Sequence, residues 1–192
     1  MNMQKTAGAH LQFFIWYNWL MSKNNKKLKK TNALRILDQC GASYTTHDYE
    51  ATGAISGVEV AAALGQDPSM TFKTLVAEGA DKLSKDGGAE RTKEHYVFVV
   101  PVAAELNLKK AAAAVGEKSI SMIKQKELLP LTGYVHGGCS PLGMKKPFRT
   151  IIDSSAADKE TITFSAGKIG LQIETAPAEL ARALDFEYAE IV

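Results

Sequence analysis

"MTFKTLVAE", residues 70–78, and "HYVFVVPV", residues 95–102, carry the β-branched and aromatic residues that strands favour. The polar "GADKLSKDGGAERTK" between them, residues 79–93, reads as a long and mobile hairpin connection. Further runs at 149–153 ("RTIID"), 161–167 ("TITFSAG") and 170–174 ("GLQIE") repeat this hairpin-like spacing, and "FEYAEIV" supplies a last strand. Closely spaced strands of this kind argue against a doubly wound parallel sheet. The expected class is α+β: a curved, barrel-like mixed β-sheet flanked by helices in a single domain.

The helices lie outward from these strands. "TNALRILDQCG" places Ala33, Leu34, Ile36, Leu37 and Cys40 at helical spacing between a capping Thr31 and Gly41. "SGVEVAAALG" opens with Ser56 and Glu59 in capping-box spacing and closes on Gly65. "NLKKAAAAVG" is capped by Asn107 and ended by Gly116, "KQKELL" reads as a helical turn, and "PAELARALD" as a helix begun by Pro177. "SYTTHDYE" and "KSISMI" complete the strands.

The chain has 192 residues, 45% of them apolar, enough for one domain with a real core. A net charge of +2, from 23 basic and 21 acidic residues, leaves any attraction to nucleic acid to a local patch. Two distant cysteines, Cys40 and Cys139, make no disulfide framework, and a reducing cytoplasm fits them best. "LQFFIWYNWLM", residues 11–21, is about half the length a membrane-spanning helix needs, and a signal peptide would want other flanks. Residues 1–30 are therefore read as a disordered extension and basic arm, or a start codon placed upstream of Met21, with residues 31–192 as the domain. An interfacial anchor is the rival reading, and no stable membrane association is expected. The lysines at 23, 26, 27, 29 and 30 form either a solvated arm or a contact for RNA phosphates.

Familiar catalytic patterns are absent. The histidines lack metal-pair spacing, no CxxC and no G-x-S-x-G elbow occur, and no metal or other cofactor is expected. "GCSPLGMK" has the glycine spacing of a Walker A loop, but Met144 stands where its lysine belongs, which excludes an NTPase. What remains is "GYVHGGCSPLGMKK", residues 133–146, a shaped loop of bare backbone, and Lys73 in a strand, on the face shared with Leu75. Lys73 either snorkels from the sheet edge or aims its charge at a phosphate or carbonyl in a cleft.

These residues carry a resemblance. "YE" at 49–50, "GVEVAAALG", "FKTLV", "VPVAAELNLKKAAAAVG", "TGYVHGGCSPLGMKK", "TIID" and "SAGKIGLQIE" follow in the order and spacing of the YbaK/EbsC family, from about Thr31 to the C-terminus. The family resembles the editing domain of bacterial prolyl-tRNA synthetases and pairs a strand lysine with a GGxSPxG loop, here Lys73 and Gly137 to Gly143. The resemblance implies a trans-editing deacylase that removes cysteine from mischarged tRNA(Pro), with prolyl-tRNA synthetase as a potential partner. Cys-tRNA(Cys) is a further substrate under the same resemblance. It implies Lys73, Gly137 and Gly138 as catalytic residues, and Tyr49, Ser140, Pro141 and Gly143 as substrate-binding ones.

The glycines would let backbone N–H groups reach the ester oxygen where charge develops, and Lys73 would pair with the terminal phosphate or ribose. The family is thought to let the substrate's own thiol attack its ester, with water as the competing nucleophile. Cys139 is either a small filler or a loop nucleophile. Two departures bear on specificity: Ile55 or Ser56 stands where some members carry an aromatic, and Gln172 where an Asp is common. An alanine-specific tRNA(Pro) editing enzyme and a non-catalytic RNA- or nucleotide-binding relative are the alternatives.

Overall fold

The computed structural model describes residues 30–80, the backbone of 82–83 and 91–92, and residues 93–192. The N-terminal extension with most of its lysine arm, and the tip of the 79–93 connection, lie outside the described residues. The chain divides at Thr31, and every element below belongs to the unit Thr31–Val192.

The elements run α1 (Asn32–Cys40), β1 (Thr45–Asp48), α2 (Gly57–Leu64), β2 (Phe72–Gly79), β3 (Lys82–Leu83), β4 (Arg91–Thr92), β5 (His95–Pro101), α3 (Leu108–Val115) and β6 (Ile120–Met122). They continue with α4 (Gln125–Thr132), β7 (Arg149–Asp153), β8 (Ile162–Lys168), β9 (Leu171–Thr175), α5 (Pro177–Leu180) and β10 (Glu187–Ala189). The helix starts follow local chemistry. Ser56 Oγ accepts the Glu59 N–H at 3.2 Å while the Glu59 carboxylate accepts the Ser56 N–H at 2.9 Å, and Asn107 Oδ1 accepts from Lys109 and Lys110. Left-handed glycines at 41, 65, 116 and 133 end α1 to α4.

The α+β class holds, and the strands are divided between two principal sheets. β10-β7-β5-β2-β6 form a mixed sheet, parallel at β10–β7 and β7–β5 and antiparallel at β5–β2 and β2–β6. β1-β9-β8 form an antiparallel one. A single bridge between Thr71 and Thr163 ties the two, supported by Thr163 N–H donating to Met70 O at 2.8 Å. β3 and β4 close the hairpin connection.

Alternation along β2 and β5 builds two cores. Phe72, Val76, Val97 and Val99 meet Phe164, Leu171, Ile173 and α1 on one face. Ala77, Tyr96, Phe98 and Val100 meet α3 and Ile191 on the other. Two helices differ from expectation. "KQKELL" extends through Pro130 to Thr132, where Lys145 Nζ donates to the Leu129 and Pro130 carbonyls and a left-handed Gly133 ends the helix. "PAELARALD" stops at Leu180, where Arg182 and Ala183 bond three residues back and tighten the chain into turns.

Candidate active site

The glycine loop is closed at its base by the Lys145 N–H, which donates to Thr132 O at 3.0 Å. Its interior is held by Tyr134, whose buried hydroxyl donates to Leu142 O at 2.6 Å. Asn32 of α1 ties the far end by donating to Gly143 O at 2.8 Å. Gly137 and Gly143 need glycine for their φ of +80° and +72°. Gly138 needs it for space: a Cβ there would lie 3.0 Å from Ile169 N and 3.1 Å from the Lys168 carbonyl carbon, in the β8–β9 turn. The loop is thus pressed backbone to backbone against that turn.

Two clefts open on either side of the loop. The smaller, about 220 Å3, is lined by Lys73, Thr74, Val102, His136, Gly137, Cys139, Ser165 and Gln172 among others. Four consecutive β2 residues, Phe72 to Leu75, line it. One strand face cannot supply four neighbours; an open edge can, and β6 pairs only with Ala77–Gly79. The larger, about 700 Å3, is lined by Pro141, Gly143, Met144, Phe148, Arg149, Phe186 and Glu187 among others. There Arg149 Nε already pairs with Glu187 at 2.9 Å.

The residues singled out in the sequence distribute unevenly. Lys73 and Gly137 line the smaller cleft together. Gly138 joins the cleft residues Gly137 and Cys139, but its own N–H donates to Val135 O at 3.0 Å. Among the described residues, the N–H groups of Gly137 and Cys139 carry no hydrogen bond. Ser140 is fully buried, with Oγ accepting the Leu142 N–H at 3.4 Å. Pro141 and Gly143 face the larger cleft. Tyr49 is buried beside the short helical turn Glu50–Thr52 and lines neither cleft. Lys145, within the loop's basic pair, caps α4.

Lys73 sits opposite Val100 in the β2–β5 ladder. Its polar contact among the described residues is Val102 O, at 3.3 Å from Nζ, and no carboxylate lines the cleft to neutralise it. Cys139 also lines the cleft, and burial pushes its thiol up to about 12, so it stays protonated at neutral pH. The cleft therefore offers a cation beside a loop whose Gly137 and Cys139 N–H groups are unpaired among the described residues, without an activated protein nucleophile. Thr74 and Ser165 were not marked by the sequence, because a hydroxyl in a strand looks the same whether it faces solvent or a cleft.

A family model described as "Aminoacyl-tRNA editing domain" matches residues 53–183, which include Lys73 and the whole loop. A protein of Enterococcus faecalis, provisionally named Cys-tRNA(Pro)/Cys-tRNA(Cys) deacylase EbsC, is 39% identical over 167 residues, covering 86% of this chain and 95% of its own. Two solved structures share the fold. One, provisionally described as a trans-editing enzyme for prolyl tRNA synthetase, has a TM-score of 0.68 at 22% identity, covering 83% of this chain and 94% of that one. The other, a hypothetical protein, has a TM-score of 0.70 at 21% identity, covering 84% and 99%. Among the described residues no helix is long and apolar enough to cross a membrane, and no group of three His, Cys, Asp or Glu is placed to hold a metal ion. With a matching family model over most of its length and a relative at this identity, the chain belongs to the aminoacyl-tRNA editing domain family.

Proposed function

We propose that this protein is a cytoplasmic trans-editing deacylase that clears cysteine from mischarged tRNA(Pro), with Cys-tRNA(Cys) as a secondary substrate, alongside prolyl-tRNA synthetase. The observation that carries the reading is the smaller cleft, where Lys73, without an acidic partner, shares a wall system with the free N–H groups of Gly137 and Cys139. An aminoacyl ester presents acceptors at its carbonyl and at the terminal ribose and phosphate. Backbone donors suit the carbonyl oxygen as it gains charge, and the ammonium suits the phosphate or ribose side.

The Cys139 thiol is a poor nucleophile when held protonated, which leaves the substrate to supply one. A substrate cysteine thiol, with an ordinary pKa of about 8.5, is partly thiolate at neutral pH. Its sulfur bonds to its own carbonyl carbon, the ester C–O bond breaks, and the proton the thiol gave up ends on the departing ribose oxygen. The protein's share is orientation, offset in part by strain in the small ring formed.

The test incubates the purified protein with Cys-, Ala-, Ser- and Pro-tRNA(Pro) and follows ester loss. Loss of cysteine well above serine is expected. Preferential loss of alanine would move the protein to alanine editing, and no loss above the spontaneous rate would leave only an RNA- or nucleotide-binding role. Lys73→Ala should remove most turnover with little change in melting temperature, since no ion pair is broken. Lys73→Arg should rescue it incompletely, because a planar guanidinium is larger than an ammonium.

A further inference from the structure

Two oxygens in the smaller cleft, Thr74 Oγ1 and Gln172 Oε1, are sealed from solvent and have no hydrogen-bond partner among the described residues. Gln172 as a whole is only 6% exposed. It lies opposite Ser165 in the β8–β9 ladder, just before the register shifts toward Lys168, and both residues line the cleft. A buried acceptor left unmet costs about 1–3 kcal/mol, so a fold that keeps two of them in one cleft has a use for them.

We infer that Gln172 and Thr74 receive the α-amino group of the aminoacyl ester and thereby discriminate against proline, an inference that rests on the deacylase reading above. The Gln172 amide oxygen can only accept, and the Thr74 hydroxyl can accept beside it; an aminoacyl ester carries strong donors only at its amino group and its ribose hydroxyl. The ribose leads back to the rest of the tRNA and must stay at the open end. The amino acid enters first, so its nitrogen is the donor that reaches a side chain this deeply buried. The cleft then has two poles that match the ester: donors from Lys73, Gly137 and Cys139 for its oxygens, acceptors from Gln172 and Thr74 for its nitrogen.

Proline is the amino acid an editing enzyme for tRNA(Pro) must spare. Its nitrogen carries a ring carbon in place of one hydrogen, so it has one donor fewer than a primary ammonium and carbon closes one of the directions in which that ammonium can donate. The ring carbon would be driven against one acceptor and leave it unsatisfied. Rejection by an unmet buried polar group is stronger than rejection by size alone. Gln172 is uncharged, so this subsite acts through hydrogen bonding and shape.

The test reads binding, so that it stands apart from turnover. Stable adenosine analogues joined at the 3′ position by an amide are titrated against the full chain, carrying alanine, N-acetylalanine or proline, together with a 2′-deoxy version of the alanine analogue. The wild type should bind the alanine analogue about tenfold more tightly than the N-acetyl and proline ones, the equivalent of one hydrogen bond. Gln172→Met and Thr74→Val, which keep shape and remove an acceptor, should each bring that ratio to within about threefold while leaving the 2′-deoxy ratio unchanged. Should Gln172→Met fail to fold, the ratios measured with Thr74→Val decide between the outcomes. The inference is overturned if the substitutions leave the amine ratios intact, if they move the 2′-deoxy ratio instead, or if the wild type binds none of the analogues. Failure of all four tRNA esters to be cleaved, by contrast, would defeat the deacylase reading while the binding ratios still report on this subsite.

Discussion

Tyr134→Phe isolates the bond that holds the glycine loop in shape. The hydroxyl donates to Leu142 O at 2.6 Å, and Leu142 is 1% exposed, so its carbonyl has little access to water when the donor is removed. Phenylalanine keeps the ring that packs on Gly167, where a Cβ would come within 2.8 Å of Cε1, so no cavity is created. The cost is then a lost hydrogen bond plus an unmet buried carbonyl, about 2 kcal/mol together. For a domain of this size that lowers Tm by about 4–8 °C. Thermal and urea unfolding measure it, with the urea slope unchanged.

The same variant has a signature in alkali. Burial, reinforced by the neighbouring Cys139, raises the Tyr134 phenol from 10.0 to about 12. The folded state holds this proton more tightly than the unfolded one. Its contribution is therefore complete below pH 10 and is lost as pH rises through about 12. The deficit of the phenylalanine variant should narrow across that window. A Tm within about 1 °C of wild type at neutral pH would refute the account of the loop, because even the weakest buried hydrogen bond predicts more.

Gly138→Ala should lower both stability and turnover, since the new Cβ would press at 3.0 Å on the backbone of Ile169, which cannot rotate away; Tm and single-turnover rates report the two effects. Cys139→Ala should keep turnover within a few-fold, and the wild-type Cys139 thiol should resist alkylation at pH 8 in the folded state, because burial holds it protonated. Asp153→Asn should destabilise the C-terminal segment. Burial works to raise this carboxyl, but N–H donors from Ser155 at 3.0 Å and Ile191 at 3.1 Å outweigh it and hold its pKa below the ordinary value, and an asparagine turns an NH2 group toward one of them. With a lowered pKa, the stabilisation is present above the unfolded value and lost as pH falls through the folded one. The gap between wild type and Asp153→Asn should be largest at neutral pH and shrink in acid, read by unfolding at a series of pH values.

The sequence by itself determined those elements whose signal is local. The caps at Thr31, Ser56 and Asn107 and the left-handed glycines after α1, α2 and α3 depend on neighbours within a few residues, and the structure has them where periodicity puts them. The strands at Phe72–Gly79 and His95–Pro101 announce themselves by β-branched and aromatic runs, and their pairing follows from the hairpin between them. The glycine loop was visible as a loop, and family likeness joined it to Lys73.

Only the tertiary structure decided which residues of that loop meet the lysine. Gly137 and Cys139 turn to the smaller cleft while Pro141 and Gly143 turn to the larger, a division set by two positive φ angles and by Asn32, which lies far away in the chain. Lys145 looked like free charge beside bare backbone, yet it closes α4, because the loop returns to the helix end it left. Thr74 carries no pattern at all, and Gln172 showed only as a departure from an Asp common in the resembled family: a polar residue in a strand becomes an orphaned acceptor only when distant elements seal it from water. Local propensity acts over one turn or one strand, whereas a cleft is made where elements far apart in sequence fail to close.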